Sequence, residues 1–420
     1  MTQNNTVTAF PAPLKGSMLA PSSKSLTHRA LIAAALSKGT SKIDNVIFSE
    51  DINATIDALQ QMGAKIDIEN NTVTVKGVKS IKAPNKAINC NESGSTLRFL
   101  IPILSLTNKE VTFTGAKSLL KRPQSVYETL AKQDGIEFRH TLESIVVNGS
   151  FKGNRYTIDG SISSQFFTGL MFALPLLEND TYITINGKLE SKGYIDLTID
   201  ILSRFNIDID EVENGYFISG KQQYKATDYT VEGDYSQASF FLVGAILNGS
   251  IKIENLPHES LQGDREIIDV IKQMKGRVVY TENGYTATKS PTQAATIDIS
   301  NCPDLGPIIA LLASLSKGLT KIIGASRLRI KESDRIESTV NTLKALGANI
   351  KTEEDTILIH GKKQLDGGTI DSYNDHRIAM MATIAAVACK NPVTIERANA
   401  VNKSYPHFYE DYRKVGGSLS

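Results

Sequence analysis

The sequence predicts an α/β protein of two domains, each assembled from three copies of a strand, helix, strand, helix, strand, strand unit. Three observations carry this expectation. A helix-plus-strand segment recurs six times, a second amphipathic helix interleaves with it, and pairs of short strand-like runs follow most of the second helices.

The chain has 420 residues, 41% of them hydrophobic, enough to build more than one large core. The first-type segments begin at Ser22, Ser93, Ser164, Ser236, Asp304 and Asp375, steps of about 71 residues. Each runs from a polar start into an apolar helix, a Gly/Asn turn and a β-branched strand, as in SSKSLTHRALIAAALSKGTSKI and DHRIAMMATIAAVACKNPVTI. The second helices show apolar residues at i, i+4 and i+7: Ile52/Ile56/Leu59, Ile195/Ile199/Leu202, Ile267/Ile271/Met274, Ile336/Val340/Leu343 and Phe408/Tyr412/Val415. The copy around Val126 and Leu130 is weaker. Strand pairs follow in MGAKIDIENNTVTVKG, NIDIDEVENGYFISG and LGANIKTEEDTILIHG.

A unit of this size cannot hide its own apolar faces, so six units imply two bodies of three. The polar stretch KQQYKATDYTVEG, near residues 221–233, separates the third copy from the fourth.

Composition removes several classes. Lys plus Arg total 46 against 45 Asp plus Glu, so no global basic excess points to nucleic acid, and anion binding must be local. Cys90, Cys302 and Cys389 are scattered, which fits buried thiols in a reducing compartment. The opening MTQNNTVTAFPAP lacks a charged and then apolar leader, and no run reaches the roughly 18 apolar residues of a membrane span, so the expectation is a soluble cytoplasmic protein. There is no Gly-x-x-x-x-Gly-Lys-Ser/Thr, no strand followed by Gly-x-Gly-x-x-Gly and no histidine pair at helical spacing, so an NTPase, a dehydrogenase and a zinc enzyme all recede.

Chemistry concentrates where the first-type helices begin, because a helix N-terminus carries free N–H groups and partial positive charge. Pro21 to Arg29 places Lys24, Ser25 and Arg29 within two turns, directly before the apolar ALIAAAL, and reads as a phosphate or carboxylate grip. Other starts carry Glu92-Ser93-Gly94-Ser95 with Arg98, Ser163-Ser164-Gln165, Asp234 with Ser236, Asp304, and Asp375-His376-Arg377. Each alone reads equally as helix capping. Lys331, Glu332 and Arg335 lead into another helix, where the last two also fit a plain i, i+3 pair. Arg122 and Lys403 precede second-type helices, and together these residues describe a site for several anions.

The motifs SSKSLTHRA, SGSTLRF, KRP, GSISSQF, SKGYIDLTI, EGDYSQASFF, PDLGP, RIKESDR, YNDHRIAM and NKSYPHF, in this order and over nearly the whole chain, resemble the 5-enolpyruvylshikimate-3-phosphate synthases of the enolpyruvyl transferase family. The resemblance implies two domains of three βαβαββ units, an inside-out α/β barrel arrangement, and a ligand cleft between them. The expected domains are 20–230, and 1–19 plus 231–420. It also implies transfer of the enolpyruvyl group of phosphoenolpyruvate to the 5-hydroxyl of shikimate 3-phosphate, with no cofactor and no metal. The expected partners are these two small molecules, with neither nucleic acid nor membrane, and the protein is expected to act as a monomer. The sibling UDP-N-acetylglucosamine enolpyruvyl transferase is the alternative. It is expected to carry Lys-Asn at the first helix, where this chain has Lys24-Ser25. A non-catalytic paralogue that binds phosphorylated ligands, or a repeat scaffold, would lack a reason for Lys24, Asp304 and Glu332.

Carried over by position, Lys24, Ser25, Arg29, Ser163, Ser164, Gln165, Ser191, Tyr194, Asp304 and Lys331 hold shikimate 3-phosphate in the implied site. Lys24, Gly94, Arg122, Gln165, Arg335, Arg377 and Lys403 hold phosphoenolpyruvate. The implied catalytic groups are Asp304 as base for the 5-hydroxyl, Glu332 as acid toward the methylene carbon, and Lys24 as charge relay, with His376 orienting Arg377 or moving a proton. Ligand groups from both domains imply closure on shikimate 3-phosphate. Three departures from the family stand out: Glu92-Ser93 where Asn-Ala is common, Phe99 where proline is frequent, and Arg327 where asparagine often meets substrate.

Overall fold

The computed structural model describes residues 5–420, so Met1 to Asn4, at the head of the opening and of the expected 1–19 segment, lie outside the described residues. The chain divides into two compact units, one of Met1–Ser23 with Glu232–Ser420 and one of Lys24–Val231.

In the Lys24–Val231 unit the first sheet is ordered Tyr229–Thr230, Thr40–Asp44, Thr72–Lys76, Lys65–Glu69, with helices Lys24–Leu36 and Glu50–Met62. The second is Ile88–Asn89, Val111–Thr114, Ile145–Asn148, Glu137–His140, with helices Gly94–Ser105 and Ser125–Asp134. The third is Asn154–Asp159, Thr181–Asn186, Gly215–Ile218, Asp210–Val212, with helices Ser164–Ala173 and Lys192–Arg204. The other unit repeats the pattern. Leu14–Leu19, Gly249–Glu254, Gly284–Thr288 and Arg277–Tyr280 go with helices Tyr235–Asn248 and Glu266–Gln273. Thr296–Asp298, Leu319–Ile323, Thr356–His360 and Asn349–Glu353 go with Gly306–Ser314 and Arg335–Ala345. Gly368–Asp371, Val393–Glu396, Val7–Phe10 and Ser418–Leu419 go with His376–Ala385 and Phe408–Lys414.

Every sheet thus has a parallel first pair, which in four of the six sheets is joined through a first-type helix, and continues antiparallel from the second strand. Three repeats are completed by distant chain. Tyr229–Thr230 supplies the opening strand for the repeat that holds Lys24, Leu14–Leu19 that for the repeat of Gly249–Glu254, and Val7–Phe10 pairs with both Val393–Glu396 and Ser418–Leu419. Among the described residues the strands form separate four-stranded sheets, and the helices pack on one another.

The repeat is visible in its packing. The first-type helices are buried along nearly their whole length, and the predicted apolar triplets of the second helices face the cores, with Ile199 half-buried. The three strand pairs each end in a glycine pressed against a carbonyl: a Cβ on Gly77 would lie 2.1 Å from Ser37 O, on Gly220 2.7 Å from Leu177 O, and on Gly361 1.5 Å from Ser316 O. At the turns Asn70 and Asn214 take left-handed φ of 54° and 59°. In the third pair Glu354 does so at 53°, with its carbonyl accepting from Arg329 Nη2 at 2.8 Å. The three cysteines are free and buried, and burial pushes the Cys389 thiol up to about 12.

Gly361→Ala must displace backbone rather than a side chain, so we expect it to lower unfolding stability by at least about 2 kcal/mol. A urea titration with an unchanged midpoint would show that the strand end yields at no cost.

Candidate active site

In the Lys24–Val231 unit three first-type helices bring their N-terminal ends into play. Lys24 opens the first and its Nζ donates to Asp51 Oδ2 at 2.6 Å, across to the neighbouring helix. One turn on, Arg29 is buried: Nε donates to Thr198 Oγ1 at 2.9 Å, Nη1 to the Ser25 carbonyl at 2.8 Å, and Nη2 to the Tyr194 carbonyl at 3.0 Å and Thr168 Oγ1 at 3.4 Å. Burial holds this guanidinium down at about 10. Most of its donors are thus committed to protein oxygens, so Arg29 ties Ser25 and Tyr194 together more than it offers charge outward. Ser191 starts the Lys192–Arg204 helix in a left-handed conformation, φ 56°, and is buried.

Ser93 and Ser163 both act as caps. Ser93 Oγ accepts from Thr96 N at 3.1 Å and Ser163 Oγ from Gln165 N at 3.3 Å. Gln165 then spans the two helix starts, its Oε1 taking Arg98 Nη1 at 2.9 Å and its Nε2 donating to Ser95 Oγ at 3.2 Å. Arg98 also donates to the Pro123 carbonyl at 3.0 Å and stacks 4.7 Å from the Phe166 ring centroid. Beside them, a Cβ on Gly94 would sit 3.1 Å from Arg122 Nη1 and 3.2 Å from Gln165 Oε1. Gly94, Arg122 and Gln165 therefore converge, and only a residue without a side chain leaves that space open.

In the other unit the expected residues meet around one carboxylate. Asp304 Oδ1 receives Arg335 Nη1 at 2.8 Å and lies 3.0 Å from Lys331 Nζ, while Oδ2 lies 3.2 Å from Arg377 Nη2. Arg377 Nη1 also donates to the Asp304 carbonyl at 3.1 Å. Arg335, only 1% exposed, donates further to Glu332 Oε2 at 2.5 Å and to Asp375 through Nε at 2.8 Å and Nη2 at 3.2 Å. The i, i+3 pairing of Glu332 with Arg335 is thus real but is one arm of a larger network. Asp375 also caps the His376–Ala385 helix, accepting Arg377 N at 2.9 Å, and Ser333 Oγ donates to it at 3.0 Å. Lys403 Nζ donates to the Asn374 carbonyl, and His376 is buried with Nδ1 3.9 Å from Asp375 Oδ1. Arg327 is buried and its charge bears on Lys331.

The charges settle each other. Burial works against the Asp304 anion, but Arg377, Lys331 and Arg335 outweigh it and hold the carboxyl well below the usual range. Asp375 is held low chiefly by Arg335, against its own burial. Asp264, in the turn Gly263–Arg265, goes the other way: burial, with Asp304 and Asp234 adding to it, pushes its carboxyl up to about 6 against the pull of Arg377 and Ser236.

Sequence reading did not single out Asp51, Asp264 or the counter-ion role of Asp375. The first two have no local signature, since one lies inside a first helical turn and the other in a 3₁₀ turn, and their partners are distant in sequence. Among the described residues no group of three or more His, Cys, Asp or Glu is arranged to hold a metal ion. No helix there is long and apolar enough to cross a membrane.

Asp264 generates a pH dependence with a definite sign. An unfolded aspartate titrates near about 3.9, so between roughly pH 4 and pH 6 unfolding releases its proton, and native stability falls as pH rises through that window and then levels. Asp304 and Asp375 act in the opposite sense and lower, their contribution being lost as pH falls beneath the ordinary aspartate value. We expect Asp264→Asn to flatten the change in denaturant midpoint between pH 4.5 and pH 7; an unaltered pH profile would place that proton elsewhere.

Comparison with known proteins shows the family. The profile of the EPSP synthase family (3-phosphoshikimate 1-carboxyvinyltransferase) matches residues 9–412. The 3-phosphoshikimate 1-carboxyvinyltransferase of Clostridium novyi is 46% identical over 425 aligned residues, covering 98% of this chain and 97% of the relative. That of Clostridium kluyveri is 44% identical over 416, covering 98% of each. A solved structure of EPSP synthase from Acinetobacter baumannii superposes with a TM-score of 0.82 at 26% identity, covering 99% of both chains. With its repeated units, its helix-start cations and relatives matched end to end, the chain belongs to the EPSP synthase family.

Proposed function

We infer that this protein is a transferase that moves the enolpyruvyl group of phosphoenolpyruvate to the 5-hydroxyl of shikimate 3-phosphate and releases phosphate, a step of the shikimate pathway toward aromatic amino acids. The sibling sugar-nucleotide reading is not favoured, because the curated relatives are 3-phosphoshikimate enzymes over nearly their full length. The cytoplasm is the usual location for the family, and we propose that the protein acts there as a monomer.

The observation that carries the reading within the structure is Asp304, one carboxylate shared by Lys331, Arg335 and Arg377. Phosphoenolpyruvate brings a carboxylate and a phosphate, and both compete with Asp304 for guanidinium groups. We propose that Arg335 and Arg377, with Arg122 and Lys403, take the substrate anions, assisted by Lys24, Gln165 and the backbone at Gly94. Withdrawal of its cations raises the basicity of Asp304, which then accepts the 5-hydroxyl proton as the oxygen attacks the central carbon of phosphoenolpyruvate. Glu332 donates to the methylene carbon. The tetrahedral adduct then breaks its C–O bond to phosphate while the Glu332 carboxylate takes a proton back from the new methyl group and the C=C bond is restored; the arginines and Lys24, which Asp51 holds at the first helix start, assist the departing phosphate. Ser25, Arg29, Ser163, Ser164, Gln165, Ser191 and Tyr194, with Asp304 and Lys331, hold shikimate 3-phosphate. For Arg29 the support is indirect, since its bonds to Ser25 and Tyr194 set the positions of those two.

Phosphate release from purified protein, requiring both substrates, tests the reaction; release with UDP-N-acetylglucosamine as acceptor would overturn it. Asp304→Asn keeps the shape and removes the base, so we expect kcat to fall by at least about two orders of magnitude while shikimate 3-phosphate still binds. Near-normal turnover would assign the base elsewhere.

A further inference from the structure

The Lys24–Val231 unit contains a line of buried polar groups that the transfer chemistry does not use. His28 Nδ1 is 2.8 Å from Thr55 Oγ1, Thr55 Oγ1 is 2.7 Å from Thr96 Oγ1, and Thr96 Oγ1 donates to Ser93 Oγ at 2.7 Å. His28, Thr55 and Thr96 have no solvent exposure and Ser93 has 1%. The line joins the helices Lys24–Leu36, Glu50–Met62 and Gly94–Ser105 and ends on the cap of the last.

Its direction follows from counting protons. Thr96 has one hydroxyl hydrogen, and the 2.7 Å contact to Ser93 takes it ahead of the 3.4 Å contact to the Asp51 carbonyl. Thr55 must then donate to Thr96, which leaves His28 Nδ1–H as the donor to Thr55. His28 is therefore the neutral Nδ1–H tautomer with a bare Nε2, and Nε2 has no hydrogen-bond partner in its buried site. Burial, with Lys24 and Arg29 adding to it, holds the ring well below the usual histidine range and keeps it neutral. At the other end Ser93 Oγ is fixed by two donors, Thr96 N and Thr96 Oγ1. That cap satisfies the third helical amide and leaves those of Gly94 and Ser95, which a helix cannot pair internally.

We propose that His28, Thr55 and Thr96 are positioning residues for phosphoenolpyruvate, a one-way hydrogen-bond chain that fixes the Ser93 cap and so aims the Gly94 and Ser95 amides at a substrate anion. This rests on the placement of phosphoenolpyruvate at Gly94. The chain also explains how Ser93 stands where alanine is common in the family: its hydroxyl is the terminus of a network built to receive it. Because the same first helix carries Lys24, the chain couples the register of the Lys24 grip to that of the Gly94 grip within one unit.

The test has two arms. ¹⁵N-histidine NMR of the whole protein, with the His28 signal identified by its loss in His28→Asn, is expected to show protonated Nδ1 and bare Nε2; protonated Nε2 would overturn the direction of the chain. In steady-state kinetics, Thr55→Val, Thr96→Val and His28→Leu are expected to raise KM for phosphoenolpyruvate about fivefold, the size of one lost buried hydrogen bond, while affinity for shikimate 3-phosphate changes less than about twofold. His28→Asn, whose amide N–H replaces Nδ1–H, should stay near the parent. Equal losses for both substrates, or no rescue by asparagine, would reduce the chain to ordinary packing and overturn the proposal. Gly94→Ala separates the two premises. If it leaves KM for phosphoenolpyruvate unchanged, the placement itself fails; if it raises KM while the threonine variants do not, the positioning role alone fails.

Discussion

A helix buried on every side offers polar chemistry only at its ends, and that constraint organises this protein. Lys24–Leu36, Gly94–Ser105, Tyr235–Asn248 and His376–Ala385 are buried along almost their whole length. Unpaired amides and the positive end of the dipole therefore collect at the N-terminal starts, where caps, cations and counter-ions must satisfy them. The function is placed where the fold has unavoidable polarity.

The two units meet this demand differently. In the Lys24–Val231 unit the solution is mostly neutral: serine caps, the Gln165 clamp, and threonine hydroxyls beneath His28. The most deeply buried of its cations, Arg29, is satisfied by carbonyls and hydroxyls rather than carboxylates. In the other unit the solution is ionic, with Asp304, Glu332 and Asp375 gathered on Arg335. Burying such a network contributes little net stability, because desolvation offsets much of the Coulomb attraction. Its use is poise: Asp304 is ionised and loaded with cations that anionic substrates are built to take.

The capping and the binding readings of the helix starts are not rivals. Ser93, Ser163, Asp234 and Asp375 all cap in the structure. Ser93 and Asp234 take the third amide of their helices and Ser163 and Asp375 the second, and a cap so placed fixes the direction of the amides beside it, so structural residues at these positions act on whatever anion the helix receives.

The sequence by itself determined the repeat, the alternation of buried and amphipathic helices, and the positions of the starts, because periodicity and glycine placement are local properties. It also pointed to Lys24, Asp304, Lys331, Glu332, Arg335 and Arg377 through residue type and motif order. Only the tertiary structure decided which strands complete which sheets: Tyr229–Thr230 and Val7–Phe10 pair far from their neighbours in sequence, and nothing in their composition marks the partner. It also decided the partners of each charge. That Arg29 spends its donors on Thr198 and Tyr194, that Asp51 holds Lys24, and that the Asp264 carboxyl is pushed up to about 6 follow from burial and from groups brought close by folding, and desolvation is a property of position in space rather than of position in the chain.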